Sequence, residues 1–220
     1  MFQNNNFSNN QLTISIDLIK SRYAGSNSNQ AFEKINDLID LVSFYIEKPI
    51  KLETKIFQSY NSQVLLDALM ISHTYYLNKI LPETELSLSQ LVKSQENSEE
   101  RTPYIFIDKA FQNYKAHLEN HILYEEKYIF PYIQQLLKKN HTLDSLSPHF
   151  QSLADFYINH SDIGEDLRTI IKLLKKLSAT PLSNGLIVKL ENLYFDLLIH
   201  DKIEEEILIP RMMRLENDFN

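Results

Sequence analysis

Residues 121–131 of this chain, HILYEEKYIFP, return in altered form at residues 200–210, HDKIEEEILIP. In both stretches a histidine is followed by a glutamate at +4, by a second glutamate at +5 and by a proline at +10. Side chains at positions i and i+4 of an α-helix lie one above the other on the same face. Each stretch therefore indicates a helix whose histidine and +4 glutamate can reach one point in space.

The composition around these stretches favours long helices. The chain has 220 residues, of which 43% are hydrophobic and 23% charged, and this suits a large domain with a substantial core. It contains 3 glycines. Sheets and phosphate-binding loops need more turn glycines than this, and neither a dinucleotide-binding nor a P-loop glycine pattern is present. We expect an all-α protein.

Charge and cysteine content exclude several functional classes. The net charge of −7, without a dominant basic stripe, argues against a nucleic-acid partner. The absence of cysteine excludes disulfides, thiolate metal sites and cysteine nucleophiles. The start, MFQNNNFSNNQ, lacks the apolar region of a signal peptide, and no apolar run reaches the length of about 18 residues that spans a membrane. We expect a cytoplasmic protein with no membrane partner.

Hydrophobic periodicity divides the chain into two parts. Residues 1–60 predict a small N-terminal helical region, in which we find no chemistry. Residues 61–220 predict an antiparallel four-helix bundle, because four amphipathic segments follow one another with short connections. The predicted segments are about 62–81, closed by Pro82; about 102–139, opened by Thr102-Pro103; a third that begins after Ser147-Pro148 and runs to about 177; and about 183–215.

Each of the four segments carries one histidine in phase with its own apolar stripe. A bundle helix buries positions that recur at steps of three and four residues. Two of the stripes also contain a glutamate at such a position. The six in-phase residues are His73, His121, Glu125, His160, His200 and Glu204.

This placement favours a metal site over ordinary core packing. A single histidine on an apolar face is more often a core residue than a ligand, but two buried carboxylates cost several kcal/mol each unless positive charge offsets them. Glu126 and Glu205 lie about 100° round the helix from the +4 positions. We predict that these two face solvent or stand behind the ligands. Tyr124, Tyr128 and Tyr157 are assigned to core packing, and His117 to the surface or to a supporting role.

Imidazole and carboxylate ligands without thiolate suit iron, manganese or zinc. Four histidines and two carboxylates exceed what one tetrahedral zinc ion uses. They suit two ions bridged by Glu125 and Glu204, and redox chemistry then favours iron. The predicted cofactor is a pair of non-heme iron ions with oxo or carboxylate bridges.

These motifs resemble the hemerythrin-like (HHE) family, and within it most closely the iron–sulfur cluster repair di-iron proteins. The matching stretches are HTY at 73–75, LPE at 81–83, HILYEE at 121–126, FP at 130–131, HSDIG at 160–164, and HDKIE at 200–204 followed by Pro210. The resemblance implies a di-iron centre held by the four histidines and two glutamates. Gly164 stands where oxygen-carrying hemerythrins place a fifth histidine, which implies an iron open to nitric oxide, dioxygen or peroxide.

The resemblance implies a role in the response to nitrosative or oxidative stress, with iron–sulfur proteins as further partners. Repair proteins of this kind commonly carry an N-terminal cysteine motif, and this chain has no cysteine, so thiol-dependent delivery of iron or sulfur is excluded. Three alternatives stay open: a reversible dioxygen or nitric oxide sensor or store, an oxidase or ferroxidase, and a helical interaction protein without metal. Whether the protein is an enzyme, and whether it forms a homodimer, are also open.

Overall fold

The computed structural model describes residues 61–95, 97–138, 152–159, 163–177 and 180–219, and every element among them is helical. Residues 1–60 lie outside this part of the chain, so the predicted N-terminal region and its boundary near residue 60 stay predictions. His160 also lies outside it. The prediction of an all-α, four-helix bundle is confirmed.

Two long rods form the first half of the bundle. The first comprises α1 (Ser62–Tyr75), a π-helical turn (Tyr76–Ile80) and α2 (Leu81–Lys93). The second comprises α3 (Ser98–Tyr124), a π-helical turn (Glu125–Ile129) and α4 (Phe130–Leu137). A short connection between Lys93 and Ser98 makes the two rods antiparallel, with Glu85 paired to Lys115 at 2.7 Å.

The second half has a shorter third segment and a long fourth rod. The third segment comprises α5 (Leu153–Asn159) and α6 (Gly164–Leu174). The fourth rod comprises α7 (Pro181–Asp201), a π-helical turn (Lys202–Leu208) and α8 (Ile209–Phe219).

Asparagine side chains set the beginnings of the first two rods. The side chain of Asn61 accepts a hydrogen bond from the backbone N–H of Gln63 at 2.8 Å. That of Asn97 accepts one from the N–H of Glu100, also at 2.8 Å. These caps satisfy N–H groups that have no partner within the helix. The predicted start of the second segment at Thr102 was wrong, because Asn97 begins the helix earlier and leaves Pro103 inside it.

Pro82 does not end the first segment, contrary to the prediction. The backbone N–H of Leu81 bonds to the carbonyl of Tyr76, five residues back, and the helix continues through Pro82 to Lys93. A proline lacks an N–H and its ring clashes with the carbonyl four residues earlier. The wider π turn removes that conflict, since it inserts one extra residue just before the proline.

The rods enclose two apolar clusters at different heights of the bundle. α2 packs against α3 and α7, and α6 packs against the same two helices, which closes a ring of four neighbours. One cluster includes Leu88, Phe111 and Leu190, and the other includes Leu66, Phe130 and Met212. The first π turn contributes Tyr76 and Ile80 to the cluster of Leu88, whereas the second and third contribute Ile129 and Ile207 to the cluster of Leu66.

Candidate metal centre

The structure brings five of the six predicted ligands together, and the sixth, His160, lies outside the described residues. Each of the five stands at or next to a π turn. His73 and His121 lie shortly before the first and second turns, and Glu125 opens the second. His200 is the penultimate residue of α7, and Glu204 lies in the third turn. The helix ends therefore place these side chains at one height of the bundle.

The first group of converging atoms belongs to His73, Glu125 and His200, which offer ligand atoms within 4.8 Å of one another. The Nε2 atom of His73 lies 3.2 Å from Oε2 of Glu125. It also lies 3.0 Å from Nε2 of His200. The first, second and fourth rods thus each contribute one donor atom to the same small space.

The second group consists of His121, Glu125 and Glu204, again within 4.8 Å of one another. The Nε2 atom of His121 lies 2.7 Å from Oε1 of Glu125. Glu125 therefore belongs to both groups and faces each with a different oxygen. Glu204, the other predicted bridge, occurs in the second group alone among the described residues.

Burial makes this arrangement costly without a cation. Glu125 and Glu204 are both 0% exposed, and His73 and His200 are 1% and 5% exposed. A buried carboxylate costs several kcal/mol unless it is compensated. The carboxylates of Glu125 and Glu204, buried together inside an apolar core, therefore need positive charge beside them.

The donor set fits a metal ion. Nδ1 of His73 lies 3.0 Å from a carboxylate oxygen of Glu126, and an ionised carboxylate accepts but does not donate. The Nδ1 atom therefore carries the proton, which leaves a lone pair on Nε2 of the neutral ring. That lone pair faces Oε2 of Glu125 and Nε2 of His200. A proton can bridge one such pair of atoms, whereas a metal ion can bind all three at once.

A known protein family matches the part of the chain that contains most of these residues. The family model described as Hemerythrin HHE cation binding domain matches residues 83–212, more than half of the chain. The chain belongs to the hemerythrin HHE family. The matched range contains five of the predicted ligands and begins after His73. No curated protein and no solved structure gives a match to this chain.

Membership confirms the resemblance at the level of the family and identifies a metal-binding helical domain. Closeness to the cluster-repair proteins stays a prediction. None of the described helices combines the length and the apolar character that crossing a bilayer requires.

Aromatic rings fix two of the imidazoles in this HHE domain. The ring of Phe130 stacks on His73, with centroids 5.1 Å apart and an interplanar angle of 11°. The ring of Tyr76 lies edge-on to His200 at 5.9 Å. Both are among the fully buried side chains. Sequence reasoning missed them, and the signal that the sequence offers is limited to Phe130, which directly precedes Pro131.

The two +5 glutamates are partly buried, which agrees with one of the two predicted alternatives for Glu126. Its side chain is 35% exposed and its Oε1 atom accepts the hydrogen bond from His73. Glu205 is also partly exposed. Glu126 thus stands behind a predicted ligand and is not simply a solvent-facing charge.

A cavity of about 230 Å³, counting space open to solvent, adjoins the centre. The imidazoles of His73, His121 and His200 line it, together with Asp201 and several apolar side chains. Ile163 is among the latter, and the buried Gly164 follows it at the start of α6. Small ligands could therefore approach the predicted ligand histidines through an opening with mainly apolar walls.

The predicted burial of one further histidine and three tyrosines is confirmed for some of these residues and wrong for one. His117 is 48% exposed and lies 3.9 Å from Asp166, as expected of a surface histidine. Tyr124 and Tyr128 pack against each other with centroids 5.2 Å apart, next to the Leu66 cluster. Tyr157 is 45% exposed, so its assignment to the core was wrong. His141 and His149 lie outside the described residues.

Burial and hydrogen bonding act in opposite directions on His73. Burial lowers the pKa of its imidazole, whereas the hydrogen bonds that the protonated ring donates to Glu125 and Glu126, and the charges of these carboxylates, raise it. The net effect is a pKa above the ordinary value of 6.5. The negative field that favours a proton on this ring would equally favour a metal cation beside it.

Proposed function

We propose that this HHE domain holds a non-heme di-iron centre and that the protein acts in the response to nitrosative or oxidative stress, like the cluster-repair proteins that it resembles. The ligands are His73, His121, Glu125, His160, His200 and Glu204. The observation that carries the proposal is the position of Glu125, whose two oxygens face two different groups of donor atoms. A carboxylate in this position is suited to bridge two ions.

The chain's own residues prepare the centre in three ways. The buried carboxylates of Glu125 and Glu204 supply negative charge that two cations would offset. The aromatic rings of Phe130 and Tyr76 restrict the imidazoles of His73 and His200 to one orientation. The apolar clusters on both sides keep bulk water away, which strengthens electrostatic interactions within the site.

Bound iron would supply one-electron chemistry and affinity for nitric oxide, dioxygen or peroxide. The cavity beside His73, His121 and His200 supports access for ligands of this size. Because the sequence contains no cysteine, the domain would act through its histidines and carboxylates and not through a thiol.

Metal analysis of the purified full chain, expressed with iron, tests the proposal. We expect close to two irons per chain and an absorption spectrum that changes on addition of nitric oxide. A content well below two irons in the wild-type protein would overturn the di-iron assignment. Unchanged iron and spectrum after exposure to nitric oxide and peroxide would overturn the stress role while leaving the metal site intact.

A second candidate function is reversible binding of dioxygen or nitric oxide, for storage or sensing without turnover. The small size of the cavity beside His73, His121 and His200 favours it, since a space of this size admits a diatomic ligand more readily than a larger substrate. An oxygen adduct that forms in air and disappears on degassing, over repeated cycles, would favour this function over repair. Irreversible oxidation in the first cycle would contradict it.

A further inference from the structure

We propose that Glu126 is a positioning residue that fixes the tautomer and orientation of His73, so that Nε2 of that ring points into the metal centre. The inference rests on the proposed metal-binding function and names a residue outside the predicted ligand set. Its basis is the hydrogen bond of 3.0 Å between Nδ1 of His73 and Oε1 of Glu126, which joins the first and second rods.

Two consecutive glutamates lie beside the two nitrogens of one imidazole. Oε2 of Glu125 lies 3.2 Å from Nε2 of His73, and Oε1 of Glu126 lies 3.0 Å from Nδ1. Consecutive residues of a helix point in different directions, about 100° apart in an α-helix and somewhat less in the wider π turn, so they can reach both sides of a ring that projects between them. The His73 side chain is 2% exposed, whereas that of Glu126 is 35% exposed. Glu126 therefore stands between the buried ring and solvent.

The chemistry of the pair assigns the proton. The carboxylate of Glu126 can only accept, so Nδ1 of His73 donates and keeps its hydrogen. The other nitrogen then offers its lone pair to the space shared with Glu125 and His200. Such a carboxylate behind a ligating histidine also increases the basicity of the ring, and its loss typically weakens metal binding by about 10- to 100-fold.

The position of Glu126 distinguishes it from ordinary surface carboxylates on the same rod. Glu119 is also on α3, is 45% exposed and lies 3.9 Å from Lys115 one turn away. Exposed pairs of this kind contribute little to stability, and Glu119 touches none of the predicted ligands in the contacts described. Glu119→Ala is therefore a matched control for Glu126→Ala.

Zinc affinity of the full chain, measured by competition with a chromophoric chelator, tests the proposal without redox chemistry. We expect Glu126→Ala to weaken zinc binding by about tenfold or more and Glu119→Ala to leave it unchanged. Glu126→Gln should lose less affinity than Glu126→Ala, because the amide oxygen still accepts from Nδ1. Equal affinities of wild type and Glu126→Ala would overturn the proposal.

Imidazole NMR of the metal-free protein at alkaline pH gives a second, independent readout. The wild type and Glu126→Gln should show the Nδ1–H tautomer of His73, and Glu126→Ala should lose this preference. If Glu126→Ala does not fold, Glu126→Gln decides: a His73 in the Nε2–H tautomer in either the wild type or this variant would overturn the proposal. A wild type that binds neither zinc nor iron would refute the proposed function, and this inference with it.

Discussion

Glu125 connects the two groups of donor atoms, and no other described residue belongs to both. It is fully buried, and each of its oxygens lies within 3.2 Å of a different histidine. A carboxylate in this setting is unfavourable for folding and favourable for holding cations. The position of Glu125 therefore favours cation binding at the expense of the stability of the metal-free fold.

His121 and His117 offer a matched test on one helix face. We expect His121→Ala to lower the bound iron by about half or more, because its Nε2 atom belongs to the second donor group. His117→Ala should keep the wild-type iron content, since His117 is half exposed and lies near Asp166 instead. Inductively coupled plasma analysis of both proteins checks this. Equal losses in the two variants would contradict the assignment.

The raised pKa of His73 predicts how the stability of the metal-free protein depends on pH. A group whose pKa is higher in the folded state stabilises the fold below its unfolded pKa, here about 6.5. That stability is lost as the pH rises through the folded pKa. We expect the free energy of unfolding, measured with urea on metal-free protein, to fall as the pH increases from about 6.5 upward.

A variant without the titrating ring provides the control for this pH dependence. His73→Gln should unfold with a smaller change over the same pH range. A wild-type stability that rises with pH in this interval would contradict the sign of the shift.

At the scale of elements, three π turns stand beside the centre, and each is followed directly by a leucine, phenylalanine or isoleucine and then a proline. The backbone N–H groups of Leu81, Phe130 and Ile209 all bond to the carbonyl five residues earlier. The proline after each cannot donate such a bond and needs space near the carbonyl four residues back. The prolines thus account for widened turns at the height where the ligands meet.

Replacing Pro131 tests whether the π turn positions Glu125 and Glu126. We expect Pro131→Ala to leave the metal-free protein as stable as the wild type or more so, because alanine favours helix and restores a backbone donor. The zinc affinity should fall by about tenfold, since a regular helix would rotate these carboxylates away from His73. Calorimetry and chelator competition measure the two quantities.

Pro103 provides the control because it lies inside α3 of the same rod, but far from the centre. Pro103→Ala should change stability without changing zinc affinity. If both variants keep the zinc affinity of the wild type, Pro131 affects the helix geometry without positioning Glu125 and Glu126 for metal binding.

At the scale of the whole molecule, the centre lies between two apolar clusters and joins rods from both halves of the bundle. His73 stacks on Phe130 of one cluster, while His200 contacts Tyr76 of the other. A bound ion would therefore tie the first, second and fourth rods to one another. Ligand binding to the folded state alone raises its stability by mass action.

Loading with metal should consequently raise the melting temperature of the full chain. At a free metal concentration of 100 times Kd the gain is about 2.7 kcal/mol, which corresponds to about 5–10 °C for a domain of this size. Differential scanning calorimetry with zinc and with iron under anaerobic conditions measures it. His121→Ala should show a smaller shift, and a wild-type melting temperature that does not respond to either metal would contradict the prediction.

The sequence by itself determined the bundle and most of the candidate site. Apolar residues at steps of three and four predict long helices whatever the tertiary context, and a histidine or glutamate in that phase must face the core. This periodicity predicts inward positions for His73, His121, Glu125, His200 and Glu204 from the sequence alone. The phase of a stripe depends on local geometry, which the sequence encodes directly.

Only the tertiary structure decided how these side chains are grouped. The sequence pairs His200 with Glu204, one turn apart, yet His200 joins His73 while Glu204 joins His121. The spacing of residues within one helix does not show which side chains of the neighbouring rod they will meet. In addition, the π turn after Asp201 changes the direction of Glu204 relative to a regular α-helix. The contact between Glu126 and His73 bridges two rods for the same reason. Which donor atoms meet is thus set by the packing of the rods, after each helix has fixed its own face.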